Sequence, residues 1–224
     1  MSVAIIQART SSKRFPNKVL TKINNIPMLT FVYDRVKKAK KIKKIIIAFS
    51  KNNSDNELQK YCKKKKYNYF RGSLNNVLER YSKVSQKYKL NSFVRVNGDS
   101  PCIDPELIDY GLKLFQKKDC DIVTNVFPRS FPKGVSVEVI KSSLVHKLVK
   151  NKKLSKYNKE HMTSYFYKNC KKFNIVNFKN RKNYSKFNLA VDKKDDLKKI
   201  EKILIRKKFL DYTWKKIIKI IYKR

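Results

Sequence analysis

The stretch Val3-Ala4-Ile5-Ile6-Gln7-Ala8-Arg9-Thr10-Ser11-Ser12-Lys13-Arg14-Phe15-Pro16-Asn17-Lys18 decides the fold. Its first four residues are apolar without alternation. That pattern fits a strand covered on both faces, as in a parallel sheet. The strand gives way at once to a loop of small hydroxyl and basic residues. In open α/β sheets ligands bind beyond the carboxyl ends of the strands, so the loop stands where a ligand is expected.

Working outward, short apolar runs with β-branched residues, several of them apolar throughout, recur at 44–49, 67–70, 92–96, 121–125, 136–140, 174–178 and 187–191. Helical spacing of apolar residues lies between them, at 27–39, 54–64, 75–88, 105–117, 144–150, 160–167, 195–207 and 214–222. Pro27 and Pro105 suit a first helical turn, and Ser54 is a candidate N-cap. The alternation predicts an α/β, doubly wound, mostly parallel Rossmann-like sheet in a single domain, 1–224. Of only four glycines, Gly72, Gly98 and Gly134 fall at strand ends or turns. A chain so poor in glycine keeps these for backbone geometry or close approach.

Composition narrows the function. The 56 Lys+Arg residues against 17 Asp+Glu give a net charge of +39. The basic residues spread over the whole chain, form no arm and show no stacking interleave with aromatics. This argues against nucleic acid as the main partner and favours a small anionic one. No apolar run is long enough to span a membrane. The first residues read as a strand and lack the basic start of a signal peptide, so a cytoplasmic protein is expected. Cys62, Cys102, Cys120 and Cys170 form no C-x-x-C pair, and His146 and His161 are not at ligand spacing. Neither a zinc site nor a disulfide framework is expected.

Three segments carry chemistry. In the first, Arg9, Arg14 and Lys18 mix fork-shaped and point-like cations with Ser11 and Ser12, the set a polyphosphate requires. On composition alone an ordinary basic loop explains it equally well. The second is Val96-Asn97-Gly98-Asp99-Ser100-Pro101, where Asp99 at a strand end is a candidate Mg²⁺ ligand or part of an Asn-Gly-Asp turn. The third is Ala190-Val191-Asp192, where Asp192 is a second candidate ligand or a helix N-cap. Two acids and a basic loop at strand ends make a phosphoryl-transfer site plausible.

These residues resemble the signature of the cytidylyltransferases that make CMP-activated acidic sugars, the CMP-Kdo and CMP-acylneuraminate synthetases. The branch named for spore coat polysaccharide biosynthesis is the most similar. The resemblance continues in order through Phe70-Arg71-Gly72-Ser73, Val77-Leu78-Glu79-Arg80-Tyr81, Arg95 to Pro105, Gly134-Val135-Ser136-Val137-Glu138-Val139, Glu160-His161-Met162-Thr163 and Leu189-Ala190-Val191-Asp192. It departs where that family commonly has glycine, near Ser11 and at Asn17. Asparagine tolerates the left-handed conformation, so Asn17 costs little.

The resemblance implies a nucleotide-diphospho-sugar-transferase type of fold. It implies a small inserted β and dimerisation region, at 126–170, that meets the acceptor. A C-terminal helix is expected at 205–224. By the same resemblance Ala8, Arg9, Ser11, Ser12, Arg14 and Lys18 hold the triphosphate of CTP, and Arg71 and Ser73 lie by cytosine and ribose. Arg71 as a surface arginine and Ser73 as a helix N-cap are the plainer alternatives. Asp99 and Asp192 bind Mg²⁺, and Lys18, Asp99 and Asp192 form the catalytic set. Lys133, Glu138, Glu160 and His161 face the acceptor. The implied reaction is attack of an acceptor oxygen on the α-phosphate, with loss of pyrophosphate, by a homodimer serving surface polysaccharide synthesis. A phosphonate or other phosphorylated acceptor is the alternative within this chemistry. A basic nucleic-acid-binding protein is the alternative outside it.

Overall fold

A computed structural model describes residues 2–12, 14–206 and 208–222. Strand β1 (Val3–Gln7) lies inside a seven-stranded sheet. On one side it pairs in parallel with β4 (Lys44–Ser50), which pairs in parallel with β5 (Tyr69–Gly72). On the other it pairs in parallel with β6 (Ser92–Asn97). Beyond β6 follow β8 (Glu138–Lys141), β7 (Ile122–Thr124) and β9 (Ile175–Asn177). Only β8 runs against the rest. The order β5-β4-β1-β6-β8-β7-β9 reverses direction at β1, which places a crevice at the carboxyl end of that strand.

Alternate side chains of each strand serve opposite layers. Ala4, Ile6, Ile45, Ile47, Val94 and Val96 belong to one buried cluster, with helices α1 (Met28–Lys37), α4 (Pro105–Lys117), α8 (Lys194–Leu204) and α9 (Trp214–Tyr222). Helix α2 (Asn56–Lys64) adds Leu58 and Cys62 to it. Val3, Ile5, Ile46, Ala48, Phe93 and Ile140 belong to the other, with α3 (Val77–Lys87) and α5 (Ser142–Val149). This two-sided burial is why the strands read as continuous apolar runs. Burial pushes the thiols of Cys62 and Cys102 up to about 12, so both stay protonated and inert.

Arg35 sits within the apolar stripe of α1 and is fully buried. Its guanidinium donates to the carbonyls of Ile103, Phe209 and Tyr212, which ties the C-terminal segment to the core. Asp104 caps α4 through the Glu106 N–H and also accepts from the Trp214 N–H. No helix among the described residues is long and apolar enough to cross a membrane.

Several expectations need correction. A short antiparallel pair, β2 (Lys22–Ile23) with β3 (Ile26–Pro27), was not anticipated. Its turn uses Asn24 and Asn25 at positive φ, where asparagine replaces the usual glycine signal. The stretch 187–191 forms no strand; its one bridge is Lys133 to Asn188. The helix expected at 160–167 is split into α6 (Lys156–Glu160) and α7 (Ser164–Lys168). The Ser164 hydroxyl bonds the His161 carbonyl and the Asn158 side chain at this break. Ser54 is not the cap of its helix: Asn52 accepts from the Ser54 N–H instead. Helix α8 ends at Leu204, and Lys207, the expected end, lies outside the described residues. The final helix spans Trp214–Tyr222, after a 3-10 turn at Phe209–Asp211.

Gly134 explains how 187–191 is held although it forms no strand. It has φ +90, and a Cβ there would stand 2.4 Å from the Leu189 carbonyl carbon. The flanking bonds Lys133 N–H to Phe187 O and Leu189 N–H to Lys133 O clamp the two segments together. Gly134→Ala is expected to lower unfolding free energy by about 2–4 kcal/mol, through strain plus overpacking. Urea denaturation checks this; a midpoint equal to wild type would refute the close-packing account.

Candidate active site

The ends of β1 and β6 lie level, beside the last pleat of β4. Gln7 of β1 is in register with Ala48 of β4 and with Asn97 of β6. The Gly98 N–H donates to the Gln7 carbonyl at 2.8 Å. A Cβ at 98 would lie 2.9 Å from that oxygen and 3.2 Å from the Ala8 Cβ, so glycine permits the approach. The loop after β1 then folds on itself. The N–H groups of Ser12 and Asn17 both donate to the Thr10 carbonyl, and Asn17 takes the left-handed conformation at φ 55. That turn directs Lys18 back toward the sheet.

Asp55 holds this loop in place. It is wholly buried and accepts four hydrogen bonds. The Thr10 N–H and hydroxyl donate at 2.8 and 2.7 Å, and the Ser50 N–H donates at 2.9 Å alongside the Ser50 hydroxyl. The carboxylate thus welds the loop to the end of β4. The sequence does not single it out, because Ser54 beside it is the residue that reads as the cap. Its side chain in fact turns away from helix α2, making no cap bond.

Lys18 is the centre of the site. Its side chain is 9% exposed, and Nζ donates to Asp99 Oδ2 at 2.7 Å and to the Val191 carbonyl at 2.9 Å. Asp192 Oδ1 stands 3.7 Å away. The Val191 N–H donates to the Asp99 carbonyl, so the two acid-bearing segments are joined directly. Asp192 is not consumed as a cap. Asp196 takes that duty, its Oδ2 accepting from the N–H groups of both Asp192 and Lys193. The Asp192 carboxylate is left to accept from Arg14 at 3.0 Å.

A cleft of about 610 Å³ opens over these groups. Ala8, Arg9, Ser11, Ser12, Arg14 and Lys18 line it from the first loop. Asp99 and Asp192 line it from two strand-end segments, and Glu160 and His161 from the end of α6. Arg9 bonds Glu160 across the cleft at 2.9 Å. Ten of the residues expected from sequence therefore share one cavity, with Gln7, Val19 and Asn97 added to it.

Four expected residues lie outside the cleft lining. The Arg71 guanidinium bonds the Ser50 and Asn52 carbonyls and the Asn56 and Gln59 side chains, bracing the turn after β4. The Ser73 hydroxyl accepts from the Asn76 N–H, while Asn76 itself caps α3. Lys133 is exposed and engaged through its backbone. Glu138 is buried, paired with Arg95 and accepting from the Tyr167 hydroxyl. Burial opposes the Arg95 cation, but the Glu138 carboxylate outweighs it and holds the guanidinium charged. Burial, reinforced by Glu138, drives the Tyr167 phenol well above its ordinary range. Arg95 also reaches Gln7 Oε1 at 3.4 Å, so this pair supports the cleft floor from beneath.

A family profile described as cytidylyltransferase matches residues 3–218. The chain belongs to the cytidylyltransferase family. It is 38% identical over 173 residues to an uncharacterized protein of Methanocaldococcus jannaschii, with 77% of this chain and 70% of that one covered. It is 29% identical over 205 residues to the spore coat polysaccharide biosynthesis protein SpsF of Bacillus subtilis, with 88% and 83% covered. A solved cytidylyltransferase from Leptospira borgpetersenii superposes with TM-score 0.92 at 29% identity, over 100% of this chain and 94% of that one. CMP:2-keto-3-deoxy-manno-octonic acid synthetase, solved with CTP, shares the fold at TM-score 0.70 and 16% identity, over 91% and 98%. This cytidylyltransferase is accordingly a nucleotidyltransferase enzyme with the α/β sheet of its relatives.

The Asp55 weld makes its own prediction. In Asp55→Asn one of the two paired donor sets meets an NH₂ group instead of an acceptor. Unfolding free energy is expected to fall by about 2–4 kcal/mol, the cost of stranding buried donors of a charge-assisted set. Guanidinium denaturation reads this directly, and an unchanged midpoint would show that the weld is dispensable.

Proposed function

We propose that this chain transfers CMP from CTP to the oxygen of an acidic sugar, a nonulosonic or ulosonic acid, with release of pyrophosphate. The observation that carries the reading is the convergence of Lys18, Asp99 and Asp192 beneath the Arg9–Ser12 loop in a single cleft. That cleft has the cations for a triphosphate and the carboxylates for a metal ion. The support for cytosine is the family; the support for the sugar acid is the likeness to a 3-deoxy-manno-octulosonate cytidylyltransferase of Pelobacter propionicus, 30% identical over 113 residues, and the support for a polysaccharide setting is the likeness to SpsF. The whole chain acts as one nucleotidyltransferase domain in this reading.

The donor set fits magnesium. Among the described residues no cluster of three or more His, Cys, Asp or Glu side chains is arranged to hold an ion. Asp99 and Asp192 supply two carboxylates around one ammonium. Magnesium is ordinarily held by one or two carboxylates, with phosphate and water oxygens completing the octahedron. Bound there, it would polarise the α-phosphate and favour the ionised acceptor oxygen.

The chain's own groups do the rest. Arg9, Arg14 and Lys18 neutralise the triphosphate and the departing pyrophosphate, as phosphoryl-type transfer needs charge stabilisation and alignment more than a covalent intermediate. The Ser11 and Ser12 hydroxyls orient phosphate oxygens. Glu160 and His161 line the cleft across from the loop and are assigned to the acceptor in this reading.

Asp99→Asn is expected to lower pyrophosphate release by about a thousandfold or more. Its melting temperature should stay near wild type. The assay is pyrophosphate release from CTP, UTP, ATP and GTP against a panel of acidic sugars and phosphonates. Turnover with CTP and a sugar acid supports the proposal; turnover only with phosphonates, or full activity of Asp99→Asn, contradicts it.

A further inference from the structure

The cleft is charge-balanced in a chain that is far from balance. The sequence carries 56 Lys+Arg against 17 Asp+Glu. Among the described residues lining the cleft, Arg9, Arg14 and Lys18 face Asp99, Glu160 and Asp192. Every one of these cations holds one of these acids: Arg9 with Glu160 at 2.9 Å, Arg14 with Asp192 at 3.0 Å, and Lys18 with Asp99 at 2.7 Å. A site built to receive a polyanion thus satisfies its own cations while the nucleotide is absent.

The three pairs differ in enclosure. The side chains of Arg9 and Arg14 are 42% and 72% exposed, so water screens them. The Lys18 side chain is 9% exposed. Its ammonium lies against Asp99 Oδ2, within 3.7 Å of Asp192 Oδ1, and is steadied by the Val191 carbonyl. Those are the two carboxylates assigned above to the metal ion. A divalent cation and an ammonium cannot share that space, since like charges a few ångströms apart in a partly enclosed site repel strongly. Lysine is also the cation suited to leaving. It is a point charge on a flexible four-carbon stem, without the bidentate geometry that would fix an arginine.

We propose that Lys18 is an internal counter-cation that keeps a divalent metal ion off Asp99 and Asp192 until a triphosphate draws its ammonium away. Metal and nucleotide then enter together, and the free enzyme has little affinity for the metal alone. The inference rests on the proposed metal role of Asp99 and Asp192. It adds that the lysine serving the phosphates in the bound state guards the carboxylates in the free one.

The test is Mn²⁺ binding to the full chain, followed by water-proton relaxation. This signal separates protein-bound Mn²⁺ from the free ion and from the small Mn²⁺–CTP complex. Without nucleotide, Lys18→Met is expected to bind Mn²⁺ about tenfold or more tighter than wild type, as removing the repelling charge requires. Adding Asp99→Asn to that variant should return the affinity to the wild-type level, which assigns the gain to this site. Equal Mn²⁺ affinity of wild type and folded Lys18→Met would overturn the proposal and leave the metal site standing. Should Lys18→Met fail to fold, Lys18→Gln takes its place in the same comparison. Tight Mn²⁺ uptake by wild type that CTP does not improve overturns the block. No protein-bound Mn²⁺ even with CTP would overturn the metal assignment, and the block with it.

Discussion

The contact on which the site depends is the Lys18 ammonium held between Asp99, Asp192 and the Val191 carbonyl. It draws three distant parts of the chain to one point. Lys18 arrives through a loop that β1 launches and Asp55 fastens to β4. Asp99 arrives at the end of β6, held level with β1 by parallel pairing and by the Gly98 approach. Asp192 arrives on a segment that belongs to no strand and is clamped by Gly134. The parallel sheet matters to function because it brings these ends level. The buried layers on both faces matter because they make the level rigid.

Much of this was legible in the sequence, for a definite reason. Strands buried on both faces carry apolar runs, so β1 and β4 announce themselves, and β6 does so despite Arg95. Chemistry placed at their carboxyl ends can then be read from the residues that follow. Asp99 and the loop from Arg9 to Lys18 were found that way, and the structure brings them together in one cleft. Asn17 was readable too, since its left-handed φ is what an asparagine standing in for glycine supplies.

What escaped were partnerships across long sequence separations. Asp55, unmarked in the sequence beside the cap candidate Ser54, proves to be a brace for Thr10. Asp192 was picked out as a candidate ligand, but the sequence left a cap as its alternative, and it is Asp196, four residues on, that takes the Asp192 N–H. Glu138 looks like an acceptor contact and lies buried under Arg95 and Tyr167. Arg71 looks like a nucleotide contact and spends its guanidinium on the turn after β4. An apolar run at 187–191 looks like a strand, but its pairing stops at the single bridge between Lys133 and Asn188. Local pattern fixes which residue types occur; only the fold decides which partner each one meets.

The strong positive charge acquires a more limited meaning in this light. Lysines cover the surface generally, whereas three of the chain's 17 acids gather in the cleft and pair with its cations. The central claim is that this cleft grips the triphosphate of CTP between the Arg9–Lys18 loop and the two strand-end aspartates. A crystal structure of the chain with CTP and a divalent ion tests it most directly. The account predicts phosphates against Arg9, Ser12 and Lys18 and the ion on Asp99 and Asp192. Nucleotide bound elsewhere, with the Lys18–Asp99 pair undisturbed, would contradict it.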